Sequence, residues 1–585
     1  MEKLSQIKEY IEQAVLGARN LHHFKAGSTP SLLKTFSNLE KKLLLLAITA
    51  LILSGAFLIS QTYLGATDKV PDFGGRHTEG LVGQPRFLNP ALSPANNVDE
   101  DISRAIYSGL LRFNKDQQLE PDLAKELPQL SADQRQYTFS LREDITWHDG
   151  QKFTADDVIF TIKMIQDPGF GSPIRLSWNK VEVSKIDDYT VVFTLDESSS
   201  PFVTNFIQGI MPKHIWETVE PEKFALSKFN LQPIGTGPFQ VSNISKSEDG
   251  EIHSIILKAF EKYHLGRPYL DELEFKFYET YDDVIASYHS RNIMGLGYIP
   301  FDKKVYIEKT SKIKINYLNL PQYQALFFNK NQSDVLKDKN VRYALAQSIN
   351  RQEIIDKIFF GFAQSSHGPI PPGYNGYNPG VTEAHLYNIE NAKALLASSE
   401  FKAVEGSNVL KKGEVELEFT ITTNNFPLNI QVVELLKEQW GKIGFRVNLE
   451  ILTIGELEQN RLRPREYQAL LFSENIGADP DPFAFWHSSQ RQNPGLNLAV
   501  FANAEVDTLL EEARKNADPE YRDLRYKRFQ EIIVEDVPAV FITNSLFIYG
   551  LNEKIKGFDA VNITEQSQRF LDVHKWYVET KRAVK

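Results

Sequence analysis

Few groupings of residues in this sequence could perform catalysis. His148 and Asp149 are adjacent and could form an acid–base pair. However, Asp149 is followed by Gly150, and an Asp-Gly pair predicts a turn. A structural role in that turn explains both residues better than catalysis does. The GTG sequence at 235–237 is a lone G-x-G followed by Pro238, which is typical of a tight structural turn rather than a phosphate loop. The sequence contains no G-x-S-x-G elbow, no H-E-x-x-H zinc helix and no G-x-x-x-x-G-K-[ST] loop. We therefore predict no catalytic residue and expect the protein not to be an enzyme.

The composition excludes further kinds of chemistry. There is no cysteine, which excludes disulfides, thiolate nucleophiles, cysteine-ligated zinc and lipid attachment to an N-terminal cysteine. The 12 histidines form no i, i+4 pair on an evident helix, and the 76 acidic residues single out no catalytic pair. A net charge of −11 leaves no electrostatic signature of nucleic-acid binding. We expect no metal site, no cofactor and no nucleic-acid partner.

The length and the composition of the chain predict a folded protein of several domains. Its 585 residues exceed what one hydrophobic core usually organises. Apolar residues make up 42% and charged residues 24%, which are ordinary values for a globular protein. The 23 tyrosines and 38 phenylalanines suit surfaces that hold a ligand by stacking and shape.

One segment is apolar enough to cross a membrane. Residues 43–60 carry no charge, and the apolar character continues to Leu64. A helix of about 20 residues spans a hydrocarbon layer of about 30 Å. A cleaved signal peptide is the alternative, but the leader of about forty residues is long and no clean small-x-small cleavage site follows. We expect an inner tail at 1–42, an uncleaved signal anchor at 43–64 and a polar tether at 65–77.

The charges before this segment predict its orientation. Seven basic residues precede the span, and Lys41 and Lys42 lie directly beside it. Such an excess of basic residues favours the cytoplasmic side of the membrane. The N-terminus is therefore expected inside, and the residues after the span outside, in an extracellular or periplasmic location.

Local patterns predict the elements of the outer part. Residues 137–141 alternate between apolar and polar side chains like a half-buried strand, and Thr154 with Asp157 resembles a capping box that begins a helix. Residues 180–186 and 189–195 read as a hairpin. Further along, a strand at 415–421, a helix at 428–443 and a strand at 445–451 predict a parallel βαβ unit. Two helices at 504–516 and 519–535 complete an α/β pattern, the second beginning with the sequence Asp-Pro.

Several sequence blocks resemble a known family. The segment 135–168 reads RQYTFSLREDITWHDGQKFTADDVIFTIKMIQDP and resembles the signature region of the family 5 extracellular solute-binding proteins. Other blocks similar to that family follow in its usual order, and they are FLNP at 87–90, IYSGL at 106–110, GTGPF at 235–239, GRPYLD at 266–271, NVRYALAQSIN at 340–350, IPPG at 370–373 and DPDPF at 479–483. The resemblance covers about residues 78–577. This chain differs from many relatives in its N-terminal region, where we expect a membrane span and a long inner tail.

The resemblance implies an α/β, two-lobed periplasmic-binding-protein-like fold of type II, in the cluster with an extra domain. Lobe I would comprise 76–115, 225–322 and 545–585. The extra domain would be 116–224, and lobe II 323–544. Two strands near 322 and 544 would form the hinge.

The family also implies a function. Its members include the oligopeptide, dipeptide and nickel receptors of ABC importers, so the resemblance implies a membrane-anchored, extracytoplasmic receptor that captures short peptides and delivers them to permease subunits. A receptor for another solute, such as a nickel chelate or an oligosaccharide, is the alternative within the class. A membrane-fixed signalling or chaperone-like peptide-binding module is the alternative from another class, because the inner tail could serve such a role.

Candidate ligand residues come from the same resemblance. Asp479 matches the position where peptide-binding relatives offer a carboxylate to the ligand's α-ammonium group, although a turn carboxylate would explain it as well. Trp486 and His487 follow the same block and would either line the cleft or pack in the core.

Two further regions are expected near the ligand. Phe328 and Asn329 resemble the family's strand that enters the second lobe, where backbone groups meet the ligand. Tyr374 and Tyr377 are aromatic loop residues beside the IPPG block and are candidates for ligand contact.

Overall fold

The computed structural model describes residues 37–309 and 312–584. The chain divides into two units. One contains the residues up to Pro71 together with those from Thr580 onward, and the other runs from Asp72 to Glu579. Of the expected inner tail at 1–42, residues 1–36 lie outside the described residues.

The strands follow in chain order. They are β1 (Thr67–Pro71), β2 (Arg76–Val82), β3 (Leu111–Phe113), β4 (Leu119–Pro121), β5 (Gln129–Leu130), β6 (Gln136–Ser140), β7 (Val181–Asp187), β8 (Thr190–Leu195), β9 (Phe239–Lys246), β10 (Ile252–Ala259), β11 (Glu272–Tyr278), β12 (Gly295–Leu296), β13 (Ile313–Asn319), β14 (Gln322–Phe328), β15 (Ala363–Ser365), β16 (Lys411–Lys412), β17 (Val415–Glu416), β18 (Glu418–Asn424), β19 (Arg446–Leu452), β20 (Ala469–Asn475), β21 (Ala539–Asn552) and β22 (Thr580–Val584).

The α-helices are α1 (Asn38–Ala66), α2 (Asn97–Ile106), α3 (Ala155–Gln166), α4 (Arg175–Trp178), α5 (Lys213–Trp216), α6 (Pro221–Phe224), α7 (Tyr281–His289), α8 (Lys304–Glu308), α9 (Lys339–Gln347), α10 (Arg351–Ile358), α11 (Ile389–Ser398), α12 (Pro427–Gly441), α13 (Ile454–Leu457), α14 (Phe483–Trp486), α15 (Ala504–Lys515) and α16 (Pro519–Asp536). Short 3₁₀ turns connect many of them, including Ser200–Ile207 and Gln566–Phe570.

The first unit is built on α1. Ser37 caps this helix in a capping box, because its hydroxyl accepts a bond from the Glu40 amide while the Glu40 carboxylate accepts one from the Ser37 amide. The helix contains the predicted apolar run 43–64, and none of its residues is buried. Among the residues that the structure describes, α1 is the one helix that is long and apolar enough, by length and composition, to cross a membrane.

The segment after α1 is more ordered than the expected tether at 65–77. Strand β1 pairs antiparallel with β22, from Thr67 opposite Val584 to Pro71 opposite Thr580. Arg582 stabilises the pairing of these two strands, because its Nη1 lies 3.0 Å from both the carbonyl and the hydroxyl oxygen of Thr67. The residues that follow the apolar helix are thus held by the other end of the chain.

The second unit contains a mixed sheet in which the neighbours run β19-β18-β20-β14-β21-β12-β2-β11-β10-β9. The long strand β21 pairs with β14 through its first residues and with β13 through its last seven. Strands β13 and β14 are separated by only Leu320 and Pro321. Two adjacent chain segments therefore pass together from one half of the sheet to the other, near residues 321 and 545.

A separate antiparallel sheet, β5-β6-β8-β7, lies within residues 129–195. Together with α3 it encloses an aromatic core that includes Phe139, Trp147 and Phe193, each fully buried. The structure confirms the predicted strand at 137–141 as β6, the hairpin as β7 and β8, and the Thr154–Asp157 capping box at the start of α3.

The predicted βαβ unit is also confirmed. Strands β18 and β19 are parallel neighbours connected by α12, with Glu418 opposite Arg446 and Asn424 opposite Leu452. Helices α15 and α16 lie where the two late helices were predicted, and the carboxylate of Asp518 caps α16 by accepting from the Glu520 amide at 2.9 Å. Pro519 occupies the first turn of α16, where a missing amide hydrogen has no cost.

Candidate ligand-binding site

A cavity of about 240 Å³ lies within the unit from Asp72 to Glu579, where three parts of the chain meet. One wall comes from α2 and the residues before it, and a second from α4 and the Ser200–Ile207 turn. Ala478, Thr564 and Glu565 close the remaining side. These residues belong to the expected lobe I, extra domain and lobe II, so the cavity touches all three of the expected domains.

Helix α2 presents charged side chains to the cavity. Asn96 begins the helix by accepting a bond from the Val98 amide at 3.1 Å. Glu100 and Arg104 are four residues apart and therefore lie on one face of the helix, and both line the cavity. The neighbouring Asp101 points away from this face into the interior, where it is 1% exposed.

Glu565 approaches the same face from the other end of the chain. The Nη2 of Arg104 donates to the Glu565 carboxylate. Glu100 lines the cavity together with Glu565. Burial, followed by the charge of Glu565, raises the pKa of Glu100 to about 9. Glu100 therefore keeps its proton at neutral pH.

Tyr107 also lines this cavity. The residue is 5% exposed, and burial raises the pKa of its phenol. Its hydroxyl oxygen finds no hydrogen-bond partner among the residues that the structure describes.

A buried ionic network fixes the position of α2. Arg569 donates two hydrogen bonds to Asp101, at 2.7 and 2.6 Å, from the turn Gln566–Phe570 that follows Glu565. Glu79 lies 3.6 Å from Arg569 and accepts from the Tyr549 hydroxyl at 3.1 Å. His77 completes the network with its Nε2 at 2.8 Å from Glu79. The network connects α2 to strands β2 and β21, and so holds Glu100 against Glu565.

A second cavity of about 180 Å³ lies beside the two segments that cross between the halves of the sheet. Its polar lining includes Gln322, whose side chain donates to the Ser545 hydroxyl at 2.8 Å. Tyr323 also lines it and donates its hydroxyl hydrogen to Glu474. Burial raises the pKa of Glu474 to about 8, so this buried carboxyl also keeps its proton at neutral pH.

Asp479 lies next to Ala478, which lines the first cavity. Its carboxylate accepts two hydrogen bonds from Arg522, both at 2.7 Å, and the Arg522 side chain is 6% exposed. Arg522 thus already neutralises the charge that was expected to meet the ligand's ammonium group. That ligand role stays a prediction.

Trp486 and His487 occupy packed positions. Trp486 is 1% exposed and lies among the rings of Phe327, Phe529 and Phe541, with its Nε1 donating to the Tyr323 hydroxyl at 3.3 Å. The ring of His487 stacks on Phe483 with centroids 4.1 Å apart. These contacts favour the packing role over the cleft-lining role for both residues.

Phe328 ends strand β14, and Asn329 follows it directly. Phe328 is fully buried, and its amide donates to the Pro538 carbonyl at 2.9 Å. The amide nitrogen of the Asn329 side chain donates to the Arg465 carbonyl at 2.9 Å. The backbone amide of Phe328 and the side chain of Asn329 are thus both bonded within the protein.

Tyr374 and Tyr377 pack against one apolar cluster that also contains Trp486. Tyr374 is 8% exposed, burial raises the pKa of its phenol, and its hydroxyl has no hydrogen-bond partner within the described part of the chain. The structure therefore brings Trp486, Tyr374 and Tyr377 together in an apolar core.

None of the seven predicted ligand residues lines either of the two cavities.

The charged residues of the first cavity were not predicted from the sequence. Glu100, Arg104 and Glu565 belong to no catalytic or metal-binding motif, and Glu565 is 461 residues away from Arg104. The local signals for this cavity were the FLNP block, which contains Pro90, and the IYSGL block, which contains Tyr107.

Comparison with known proteins identifies relatives along most of the chain. Residues 118–495, more than half of the chain, match the model of the bacterial extracellular solute-binding proteins, family 5. The chain is 26% identical over 515 residues to the oligopeptide-binding protein AppA of Bacillus subtilis, covering 87% of this chain and 92% of AppA. It is 27% identical over 517 residues to the dipeptide-binding protein of Escherichia coli, covering 81% of this chain and 90% of that protein.

Solved structures show the same fold. AppA of Bacillus subtilis in complex with a nonapeptide has a TM-score of 0.66 and 26% identity, covering 87% of this chain and 100% of AppA. The ABC transporter substrate-binding protein CtaP of Listeria monocytogenes has a TM-score of 0.74 and 27% identity, with coverage of 87% and 100%. These matches confirm the predicted α/β fold of the periplasmic-binding-protein kind. The chain therefore belongs to the bacterial extracellular solute-binding proteins of family 5, which bind solutes and are not enzymes.

Proposed function

We propose that this chain is the extracytoplasmic substrate-binding component of an ABC importer and that short peptides are its ligands. The names of two relatives describe oligopeptide and dipeptide binding, and the AppA structure holds a nonapeptide. The observation that carries the proposal is the first cavity, which is walled by residues from all three of the expected domains.

Capture would follow from closure of these walls. Strands β13 and β14 and strand β21 are the segments that cross the sheet, near the hinge positions expected at 322 and 544. A ligand held between lobes I and II shifts the population toward the closed form, and only its better affinity for that form drives the shift. No bond is broken, so no nucleophile is needed. The extra domain at 116–224 would supply the wall formed by α4 and the Ser200–Ile207 turn.

The anchored state of the protein is part of this proposal. Helix α1 has 29 residues, which is about 43 Å of helix and longer than a hydrocarbon layer of about 30 Å. Lys41 and Lys42 lie at its N-terminal end, which favours an inner N-terminus. An uncleaved α1 would keep the receptor beside its permease subunits at the membrane.

Native mass spectrometry of the full-length protein, purified from its host in detergent, tests the proposal. We expect bound masses that correspond to short peptides and disappear on denaturation. Copurification of permease subunits would identify the transport partner. Recovery of a nickel chelate or an oligosaccharide in place of peptides would overturn the peptide assignment and favour the alternative ligands of the class.

A further inference from the structure

We infer that Arg582 and Lys69 bind the phosphate group of an anionic phospholipid in the membrane that α1 would cross. The inference rests on the proposed function, because it requires that α1 remain as an uncleaved anchor. It goes beyond the anchor itself, since it assigns a lipid-binding role to strand β22. Arg582 on this strand is 515 positions away from Thr67, the residue that it contacts at the end of α1.

The register of the β1–β22 pair places the two basic residues on one face. Lys69 lies directly opposite Arg582, and residues directly opposite each other in an antiparallel pair project to the same side. Asp68, the acidic residue of β1, is opposite Ala583 and therefore belongs to the other face. Like charges directly opposite each other destabilise a strand pair. An anion bound by both residues would remove this repulsion.

Neither Lys69 nor Arg582 forms an ion pair with another of the residues that the structure describes. The hydrogen bonds of the Arg582 guanidinium come from Nη1, which lies 3.0 Å from two oxygen atoms of Thr67. Its Nε and Nη2 are left for a further acceptor, and the Lys69 side chain is exposed. A guanidinium fork beside an ammonium group is well suited to the oxygen atoms of a phosphate.

The guanidinium of Arg582 lies at the end of the apolar helix. Its Cζ is 5.9 Å from the centroid of the Tyr63 ring, and its Nη1 contacts Thr67, the residue that caps α1. Thr67 follows Leu64, the last residue of the apolar segment, by three positions, or about 4.5 Å of helix. The headgroup layer extends about 5–8 Å beyond each side of the hydrocarbon core. The charge therefore lies at the depth of the lipid phosphates, where tyrosine rings are also enriched.

A purely structural role for Arg582 explains less of this arrangement. Its bonds to Thr67 stabilise the end of α1 and the strand pair, but they do not require a second basic residue opposite it. In addition, β1 and β22 form a sheet of two strands only, and such a pair is marginally stable in water. A bound phosphate would connect the two strands and stabilise their pairing at the membrane surface.

Native mass spectrometry of the full-length protein in lipid nanodiscs tests the inference. The nanodiscs contain equal amounts of phosphatidylglycerol, which is anionic, and phosphatidylcholine, which is zwitterionic, and the ratio of the two lipids retained by the protein is measured. We expect Lys69→Gln/Arg582→Gln to lower this ratio by at least about fivefold, because each basic residue near a membrane surface typically contributes about that factor. Lys246→Gln/Lys258→Gln removes two charges from exposed positions of β9 and β10 and should leave the ratio unchanged.

A covalent link between the strands separates the effect of charge from the effect of strand pairing. Pro71 lies directly opposite Thr580, so Pro71→Cys/Thr580→Cys should form a disulfide, and the natural chain has no cysteine that could compete. In this linked protein Lys69→Gln/Arg582→Gln should lower the lipid ratio by the same factor. Arg582→Lys keeps the charge and should retain most of the preference. Lys41 and Lys42, at the other end of α1, are unchanged in every variant and contribute equally to all of them.

The outcomes separate this inference from the proposed function. A preference for phosphatidylglycerol that survives the loss of both charges would overturn the inference alone. A preference that is lost without the disulfide but kept with it would do the same, because Arg582 would then act only through strand pairing. The spectra also give the mass of the chain purified from its host. A chain that begins near residue 67 would overturn the uncleaved anchor, and the inference with it.

Discussion

Arg569 and Asp101 form a bidentate ion pair with bonds of 2.7 and 2.6 Å, and each side chain is only 1% exposed. The two residues are 468 positions apart in the chain. Their pairing fixes α2 against the turn Gln566–Phe570, and thereby brings Glu100 and Glu565 together. This buried ion pair thus lies directly behind the charges of the cavity.

Removing either member of this pair should destabilise the protein strongly. Asp101→Asn or Arg569→Met removes the bidentate partner of the other buried group, and breaking such a buried pair typically costs about 3–5 kcal/mol. The double variant should cost less than the sum of the two single variants, because no unpaired charge remains at the pair. Chemical denaturation of the full chain measures these differences.

A surface pair provides the matched control for this prediction. Lys357 and Glu353 form an i, i+4 ion pair in which the lysine side chain is 60% exposed. Lys357→Met should change the free energy of unfolding by less than about 1 kcal/mol. If Asp101→Asn costs no more than this control, the buried network does not hold α2 in place.

The pH dependence of stability should report on Glu100. Its pKa is raised from the usual 4.5 to about 9, so the folded state binds more protons than the unfolded state between these values. Its contribution to stability is fully present below about pH 4.5 and is lost as the pH rises through 9, at no more than about 1.4 kcal/mol per pH unit. Glu100→Gln should flatten this part of the curve and be more stable than the wild type at pH 8. An unchanged slope in Glu100→Gln would show that Glu100 carries no extra proton.

Membrane topology can be tested by cysteine labelling, because the natural chain contains no cysteine. In intact spheroplasts, a membrane-impermeant maleimide should label Ser290→Cys, an exposed position in the outer part. It should label Ser5→Cys only after lysis, since the basic residues before α1 favour an inner N-terminus. The unmodified chain serves as the control without label.

Two results would contradict this topology. Labelling of Ser5→Cys in intact spheroplasts would invert the orientation. A soluble protein that begins near residue 67 would show that α1 is removed as a signal peptide.

Local sequence patterns predicted the local structure well. The capping box at Thr154, the β7–β8 hairpin and the β18-α12-β19 unit all depend on residues close together in the sequence, where periodicity and capping chemistry act directly. The pairing of β1 with β22 depends on residues at opposite ends of the chain. A contact between such distant residues leaves no periodic pattern in the sequence, so the composition of residues 65–77 predicted only a polar tether.

The candidate site was harder to predict for the same reason. Glu100 has no distinctive neighbours in the sequence, and its chemistry arises only when the fold places it beside Glu565. The DPDPF block containing Asp479 is a clear local signal, but its partner Arg522 is 43 residues away on α16. Composition identified a folded chain without catalytic motifs, and the resemblance identified its family. The charges of the cavity became visible only in three dimensions.

Asp479 provides the sharpest test of the predicted ligand residues. Its carboxylate forms two bonds to Arg522, a buried guanidinium that otherwise contacts the Tyr526 hydroxyl at 3.1 Å. Asp479→Asn keeps the shape but removes the charge, and should destabilise the ligand-free protein by about 1.5–3 kcal/mol. Its coupling to N-acetylation of a captured peptide, measured by calorimetry on the four combinations, should be below about 1 kcal/mol, because Arg522 already satisfies the carboxylate. Coupling of several kcal/mol with unchanged stability would instead give Asp479 the ligand role that the family resemblance implies.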